Sequence, residues 1–163
     1  MIRFAKLTDY GLVLMTVMAR EGATTTHTAR DLASVSRLPL PTVSKVLKQL
    51  LQSGLLVSHR GNKGGYGLAK APTEISVADI VTAMEGPIAL TDCSTDVIGL
   101  CDLEHSCPTK ANQQVITRVM RAALEKVALS DLAQPMATTQ LIAIQDMHGR
   151  VVPSVVSSSG RVQ

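Results

Sequence analysis

Residues 28–68 read TARDLASVSRLPLPTVSKVLKQLLQSGLLVSHRGNKGGYGL, and the punctuation of this stretch decides the fold. Thr28 stands directly before Ala29-Arg30-Asp31-Leu32-Ala33, with Asp31 three residues on. That is the spacing at which a hydroxyl and an acid satisfy the first free amides of a helix. Val35-Ser36-Arg37-Leu38-Pro39 reads as a turn. Pro41 suits the first position of a further helix, where its missing N–H removes no helical bond. That helix is expected to reach about Ser53 and to stop at Gly54. Val43, Val46, Leu47 and Leu50 fall at i, i+3, i+4 and i+7 and form its stripe for burial, with Thr42, Ser44, Lys45, Lys48, Gln49 and Gln52 outside it. Residues 55–60, the glycine-rich 61–65 and residues 66–69 then read as strand, turn and strand, hence a hairpin. Short helix, turn, longer helix and hairpin make the pattern of a winged helix-turn-helix.

Upstream, residues 7–20 read as a helix ended by Gly22. Its apolar run behind Arg3 and Lys6 resembles a secretory core only superficially. It is short, Asp9 precedes it, and no convincing cleavage site follows. Leu7, Leu14, Met15 and Met18 share one helical face, so it is expected to be the first core helix. Downstream, Pro72 opens a linker, Ser76 or Val77 starts a helix to about Glu85, and Gly86-Pro87 breaks it. Residues 88–106 show no period. Pro108 is expected in the first turn of a long helix reaching about Leu132, with Ile116, Met120, Leu124 and Val127 as its apolar stripe. Little core remains for one protomer to cover that stripe, so a homodimer interface is expected there. From Gln134 onward the composition predicts a poorly ordered tail around the apolar island Leu141-Ile142-Ala143-Ile144. The expected organisation is residues 1–71 for DNA binding, 72–107 for a linker helix and cysteine loop, 108–132 for dimerisation and 133–163 for the tail. The fold class is mainly α: a winged helix-turn-helix with a small β-hairpin wing and a long C-terminal dimerisation helix.

Composition agrees. The 163 residues are 45% apolar but only 2% aromatic, without Trp, so the core must be aliphatic and favours helix-on-helix packing. The net charge of +3 hides an asymmetry. Residues 1–70 carry ten Lys/Arg against three Asp/Glu, and the remainder six against ten. A basic half joined to an acidic half predicts a nucleic-acid-facing module beside a module with another task. No apolar run reaches the roughly 18 residues that span a bilayer, so a cytoplasmic protein without a membrane partner is expected.

A helix fits the major groove of double-stranded DNA, about 12 Å wide. Thr42, Ser44, Lys45, Lys48 and Gln49 on the third helix are therefore the candidate base and phosphate contacts. The hairpin adds His59, Arg60, Asn62, Lys63 and Tyr66, and an arginine near its tip suits a narrow minor groove. The competing reading is a solvated basic face. The absence of interleaved basic and aromatic residues argues against a single-strand stacking platform.

Cys93, Cys101 and Cys107 lie within 15 residues, with seven and five residues between them. An odd number of cysteines in an intracellular chain argues against a disulfide framework. Thiolate sulfurs converging in a flexible loop suit an iron–sulfur cluster. The spacing disfavours a zinc ribbon but leaves Cys₃His zinc through His105 open. Three reduced thiols, or a redox pair with a spare, are the alternatives without a metal. A fourth ligand could come from Asp92, Asp102, Glu104, His105 or elsewhere. A cysteine-nucleophile enzyme would need a base and an oxyanion hole, and no glycine-rich oxyanion turn or cofactor fingerprint accompanies these residues. The chain does not read as an enzyme.

Several strings together resemble a known family. They are Leu7-Thr8-Asp9-Tyr10-Gly11-Leu12, the wing Arg60-Gly61-Asn62-Lys63-Gly64-Gly65-Tyr66-Gly67-Leu68, Ile75-Ser76-Val77-Ala78-Asp79-Ile80-Val81, and three cysteines followed by a long helix. Over about residues 1–132 the chain resembles the iron–sulfur winged-helix regulators that include IscR and NsrR. Met84-Glu85-Gly86-Pro87-Ile88-Ala89-Leu90-Thr91-Asp92-Cys93 is similar to the branch regulating the SUF cluster-assembly operon. The resemblance implies a homodimer, with a recognition helix in the major groove of an operator and a wing in the minor groove. It further implies a 2Fe–2S or 4Fe–4S cluster on Cys93, Cys101 and Cys107, whose state sets DNA binding, most simply as a repressor. The IscR branch has a histidine three residues after its last cysteine, where this chain has Lys110. The NsrR branch uses an aspartate of the first helix reaching across the dimer, and Asp9 matches that position. The first cysteine spacing exceeds the IscR pattern by two residues, which leaves the cluster type open. Two other functions stand beside this one: a thiol-redox or nitric oxide-responsive repressor without a stable cluster, and a zinc-stabilised protein-interaction module.

Overall fold

A computed structural model of the chain describes residues 3–22, 24–61, 64–95, 100–102 and 105–134, apart from the side chain of Cys93. The expected tail beyond Gln134 with its apolar island, Asn62, Lys63 and Glu104 lie outside these residues. The elements are α1 (Lys6–Glu21), α2 (Ala29–Ser36), α3 (Leu40–Gln52), β1 (Leu56–His59), β2 (Gly65–Leu68), α4 (Val77–Glu85), α5 (Lys110–Glu125) and α6 (Leu129–Ala133), with single 3₁₀ turns at Pro72–Glu74 and Asp92–Ser94. The fold is mainly helical, with one antiparallel hairpin as its wing.

The cap expected at Thr28 is formed. The Thr28 hydroxyl accepts from the Asp31 amide at 3.2 Å and donates to the Asp31 carboxylate at 2.6 Å, and the Thr28 N–H donates to the same oxygen at 3.2 Å. Ser76 and Asp79 repeat this arrangement at the start of α4. The Thr28 hydroxyl, and after it the Thr28 N–H, hold the Asp31 carboxyl below its ordinary value. The folded value is depressed, so this stabilisation is present above the unfolded pKa and is lost as pH falls through the lower folded one. Pro41 occupies the second rather than the first helical position of α3, because Leu40 already turns into the helix behind Pro39.

The stripe Val43, Val46, Leu47 and Leu50 is fully buried against Leu14, Met15 and Met18 of α1, Leu32 of α2 and Ile80 of α4. Such large, closely packed aliphatic side chains each contribute on the order of 2–5 kcal/mol, judged by truncation to alanine. β1 pairs with β2 in the register Leu56↔Leu68 to His59↔Gly65. His27, just before α2, adds a third rung through two backbone bonds to Tyr66, at 2.9 and 2.8 Å. This fixes the wing to the helical core.

The C-terminal helix differs from expectation. α5 stops at Glu125 instead of running to Leu132. The chain leaves the helix to pair with the linker before α4: the Val77 N–H donates to the Val127 carbonyl at 2.8 Å, and the Leu129 N–H to the Ile75 carbonyl at 2.7 Å. The turn drops Leu129 into the core, where it is fully buried, and α6 then packs on α1. Burying Leu129 and closing these backbone bonds outweighs the few helical bonds lost at the break. The Arg20 guanidinium, 3.1 Å from the Ala133 carbonyl, secures the far end. Of the expected stripe, Met120, Leu124 and Val127 are half-buried, whereas Ile116 is exposed together with Val119.

Gly65 marks a tight approach of the wing to the segment before α2. A Cβ there would sit 2.6 Å from the His27 carbonyl oxygen, a backbone atom that cannot step aside. Gly65→Ala is therefore expected to part the His27–Tyr66 bridge and to lower unfolding stability by about 1–3 kcal/mol in urea titration.

Candidate nucleic-acid interface and cysteine loop

The exposed face of α3 is narrower than the sequence suggested. Ser44, Lys45 and Lys48 are exposed, with Leu40 and Pro41 ahead of them at the leading end of the helix. Thr42 is half-buried. Gln49, expected to reach DNA, is turned inward: its Nε2 donates to the Met84 carbonyl of α4 at 3.4 Å, and its Oε1 is buried without a partner among the described residues. The reason is positional. Gln49 neighbours Val46 and Leu50 on the helix, and α4 packs over that shoulder. In the wing, His59 and Arg60 are exposed at the end of β1. Tyr66 is half-buried against the core, with its backbone engaged by His27.

Arg37 is a residue that the sequence reading does not single out. It closes α2 in a left-handed conformation, φ 57°, the one positive-φ non-glycine among the described residues, and it is exposed in the turn before α3. A glycine would occupy that backbone conformation without strain, whereas arginine is disfavoured there by about 1 kcal/mol or more. Arg37 therefore presents an exposed positive charge in the turn between α2 and α3. The signal available from sequence was the missing glycine at the end of α2.

The second residue that sequence reasoning missed is Glu85. The residue at the start of α1, Ala5, has no side chain able to cap the helix. Glu85, the last residue of α4, supplies the acceptor from outside. Its Oε1 takes the Ala5 N–H at 2.7 Å and the hydroxyl of fully buried Thr8 at 2.7 Å. A carboxylate is also favoured there by the positive end of the α1 dipole. One turn further along α1, a Cβ on Gly11 would meet Met84 Cγ at 3.2 Å, so the glycine lets α4 lie close. Met84 and Glu85 thus hold α3 and α1 at once, and the chain runs from them through Gly86-Pro87 toward the cysteines. A helix start without a local cap was the only sequence signal for this contact.

Of the cysteines, Cys101 and Cys107 are free thiols and half-buried. Cys107 Sγ lies 3.4 Å from the Thr109 hydroxyl. That hydroxyl, then the Thr109 N–H and the Lys110 N–H and charge, draw the thiol below its ordinary value against a smaller opposing effect of burial. Thiolate is the metal-binding form, so this donor chemistry fits a thiolate-ligated group. Asp9 is exposed in the first turn of α1. Among the described residues no three His, Cys, Asp or Glu side chains converge as a metal site, so Asp9 does not join Cys101 and Cys107 within one protomer. His105 and Asp102 are exposed in the same loop. The segment around Cys93 packs on α5, where Thr117, buried, bridges the Leu90 N–H at 3.4 Å and the Ser94 hydroxyl at 3.1 Å. No helix among the described residues is long and apolar enough to cross a membrane.

Glu85→Ala is expected to lower stability by about 1–2 kcal/mol in chemical denaturation, since an amide and a buried hydroxyl lose their acceptor together. Glu85→Gln, which keeps an accepting oxygen, should retain most of it.

Comparison with known proteins agrees with this architecture. Residues 4–135 match the Rrf2 family, described as iron-dependent transcriptional regulators. A Mycobacterium tuberculosis protein named as an HTH-type transcriptional regulator is 36% identical over 135 residues, 81% of each chain. The HTH-type transcriptional repressor NsrR of Streptomyces coelicolor is 26% identical over 147 residues, 89% of this chain and 97% of that one. The solved structure of CymR, the global cysteine regulator of Bacillus subtilis, superposes with a TM-score of 0.63 at 25% identity, covering 82% of this chain and 97% of the other. T. potens IscR shares the fold with a TM-score of 0.63 at 23% identity, over 86% and 93% of the two chains. The relatives are regulators and not enzymes, and the chain belongs to the Rrf2 family of DNA-binding winged-helix transcription regulators.

Proposed function

We propose that this chain is a homodimeric repressor that senses iron–sulfur cluster status, and that it controls SUF-type cluster-assembly genes, as the resemblance of residues 84–93 implies. The observation that carries the sensing role is the Met84–Glu85 junction. The residues that start the cysteine loop also cap α1 and hold the recognition helix through Gln49. A change in the loop that shifts the end of α4 by a fraction of an ångström must alter the seat of α3.

On DNA, α3 lies in the major groove with Ser44, Lys45 and Lys48 outward, with Thr42 beside them. Arg37 meets a phosphate, and the wing carries His59 and Arg60 to the minor groove, with Asn62 and Lys63 as further contacts expected from the sequence. Tyr66 and Gln49 hold these elements in place from inside. The dimer forms through α5, where Ile116 and Val119 are exposed in the single chain, 46% and 57%. A two-fold pairing of that helix covers both residues and sets the spacing of two half-sites.

Cys93, Cys101 and Cys107 hold the cluster, and Asp9 of the partner subunit completes its ligands. When bound, the cluster supplies a group that oxidants, nitric oxide or iron shortage can remove. The chain's own part is to lower the Cys107 thiol through Thr109 and to tie the loop to α5 through Thr117. A second reading keeps the DNA-binding role and makes the thiols the switch without a cluster. The similarity to a cysteine regulator, and the lowered thiol of Cys107, favour it as the alternative.

The deciding experiment is anaerobic purification with an absorption spectrum and iron and sulfide analysis. A visible band with stoichiometric iron and sulfide is expected, abolished by Cys93→Ala, Cys101→Ala or Cys107→Ala and altered by Asp9→Ala. Iron-free protein after attempted reconstitution, with DNA binding that follows added thiol reductant, would establish the second reading instead. For the interface, Lys45→Ala should weaken operator binding and reduce the slope of log K against log salt by about 1, one phosphate's share. Arg37→Gly should weaken binding in the same way while leaving the fold as stable or up to about 1 kcal/mol more so.

A further inference from the structure

The inward turn of Gln49 changes what α3 can read. The side chains that discriminate bases by paired hydrogen bonds are arginine, asparagine, glutamine and the acids. On α3 the one exposed residue of this kind is Gln52, at the last position of the helix, and none lies on its leading turns. Ser44 can donate to or accept from any base edge, and Lys45 and Lys48 are single-point donors suited to phosphate or guanine. Hydrogen bonding from this helix therefore carries little sequence information.

Leu40 and Pro41 are left, exposed at the end of the helix that leads into the groove. Leu40 is 40% exposed although its own helix offers a fully buried aliphatic stripe. One turn separates Leu40 from Ser44, and another separates Pro41 from Lys45. The two apolar residues thus head the same rows that carry the polar contacts, and the first residues of a recognition helix are the ones that meet base edges. One base presents an apolar group in the major groove: thymine, through its C5 methyl.

We propose that Leu40, flanked by Pro41, is the specificity-determining residue of this helix and reads thymine methyl groups at one or two adjacent positions of each half-site. This rests on the DNA-binding reading above. Lysine contacts then supply affinity that depends on salt and little on sequence, and Leu40 supplies the preference.

The test uses the full chain and works whatever the operator sequence is. Duplexes are selected from a random pool, and each thymine of the bound sequence is replaced in turn by uracil, which removes only the methyl. Wild-type protein is expected to lose about fourfold in affinity per contacted methyl at one or two positions, the effect of exposing one carbon-sized apolar group. Leu40→Ala should bind thymine and uracil duplexes equally, Leu40→Met should restore the difference, and Lys45→Ala should weaken both while keeping their ratio. Indifference of the wild type to uracil at every position overturns the proposal without recourse to any variant, and so does a thymine preference that survives in Leu40→Ala. A pool that yields no enriched sequence overturns this proposal, and a failure to retain any duplex overturns the DNA-binding reading as well.

Discussion

The first amides of a helix have no partner within it, and Ala5, which precedes α1, has no side chain to pair them. Glu85 resolves this from the far end of α4, taking the Ala5 N–H and the Thr8 hydroxyl on one oxygen. The contact is short only because Gly11 leaves room for Met84. Once α4 is held there, the Met84 carbonyl near its end faces Gln49, and the recognition helix is bound to the same corner. Helices α1, α3 and α4 therefore share one polar junction at the edge of an otherwise aliphatic core. The cysteine loop leaves from that junction, which gives it mechanical access to the DNA-reading surface.

That junction has a consequence for recognition. A glutamine that faces a backbone carbonyl cannot also face adenine. Thr42 and Gln49 flank the buried stripe and are drawn inward by it, whereas Ser44, Lys45 and Lys48 stay clear. The exposed leading face of α3 is basic and apolar, and its exposed amide, Gln52, stands at the far end of the helix. A basic surface binds any duplex, so on the proposed reading the apolar leading residues and the wing carry the sequence preference.

The C-terminal region shows how tertiary packing overrides helical continuity. Residues 108–132 read as one amphipathic helix, and no proline or glycine interrupts them after Pro108. The interruption at residues 126–128 comes from Val77 and Ile75, far away in sequence, which offer a backbone donor and acceptor. Leu129 is then buried in the DNA-binding core instead of lying on a dimer face. This ties α5 to both the cysteine segment, through Thr117, and the core, through Leu129. The cysteine segment is thus anchored on two sides, by α4 through Gly86-Pro87 and by α5 through Thr117.

Local structure was legible in the amino-acid order alone: the cap at Thr28, the start of α4 near Ser76, the stops at Gly22, Gly54 and Gly86, the buried stripe of α3 and the glycine-rich hairpin. Each is a short-range matter of backbone donors, φ angles and helical period, so neighbouring residues suffice to specify it. The basic half and the cysteine trio were legible too, because charge and thiols are visible without coordinates. Which polar residues of α3 face outward was settled by folding, since that depends on where α4 lies. Folding likewise placed Glu85 against Thr8, 77 residues away, and bent the chain at Val127, because both depend on partners brought close in space. The left-handed Arg37 stands between these cases. The sequence shows an arginine where a glycine would relieve the turn, and the fold shows that the turn takes the strained conformation regardless, since α2 and α3 must both keep their buried faces on α1.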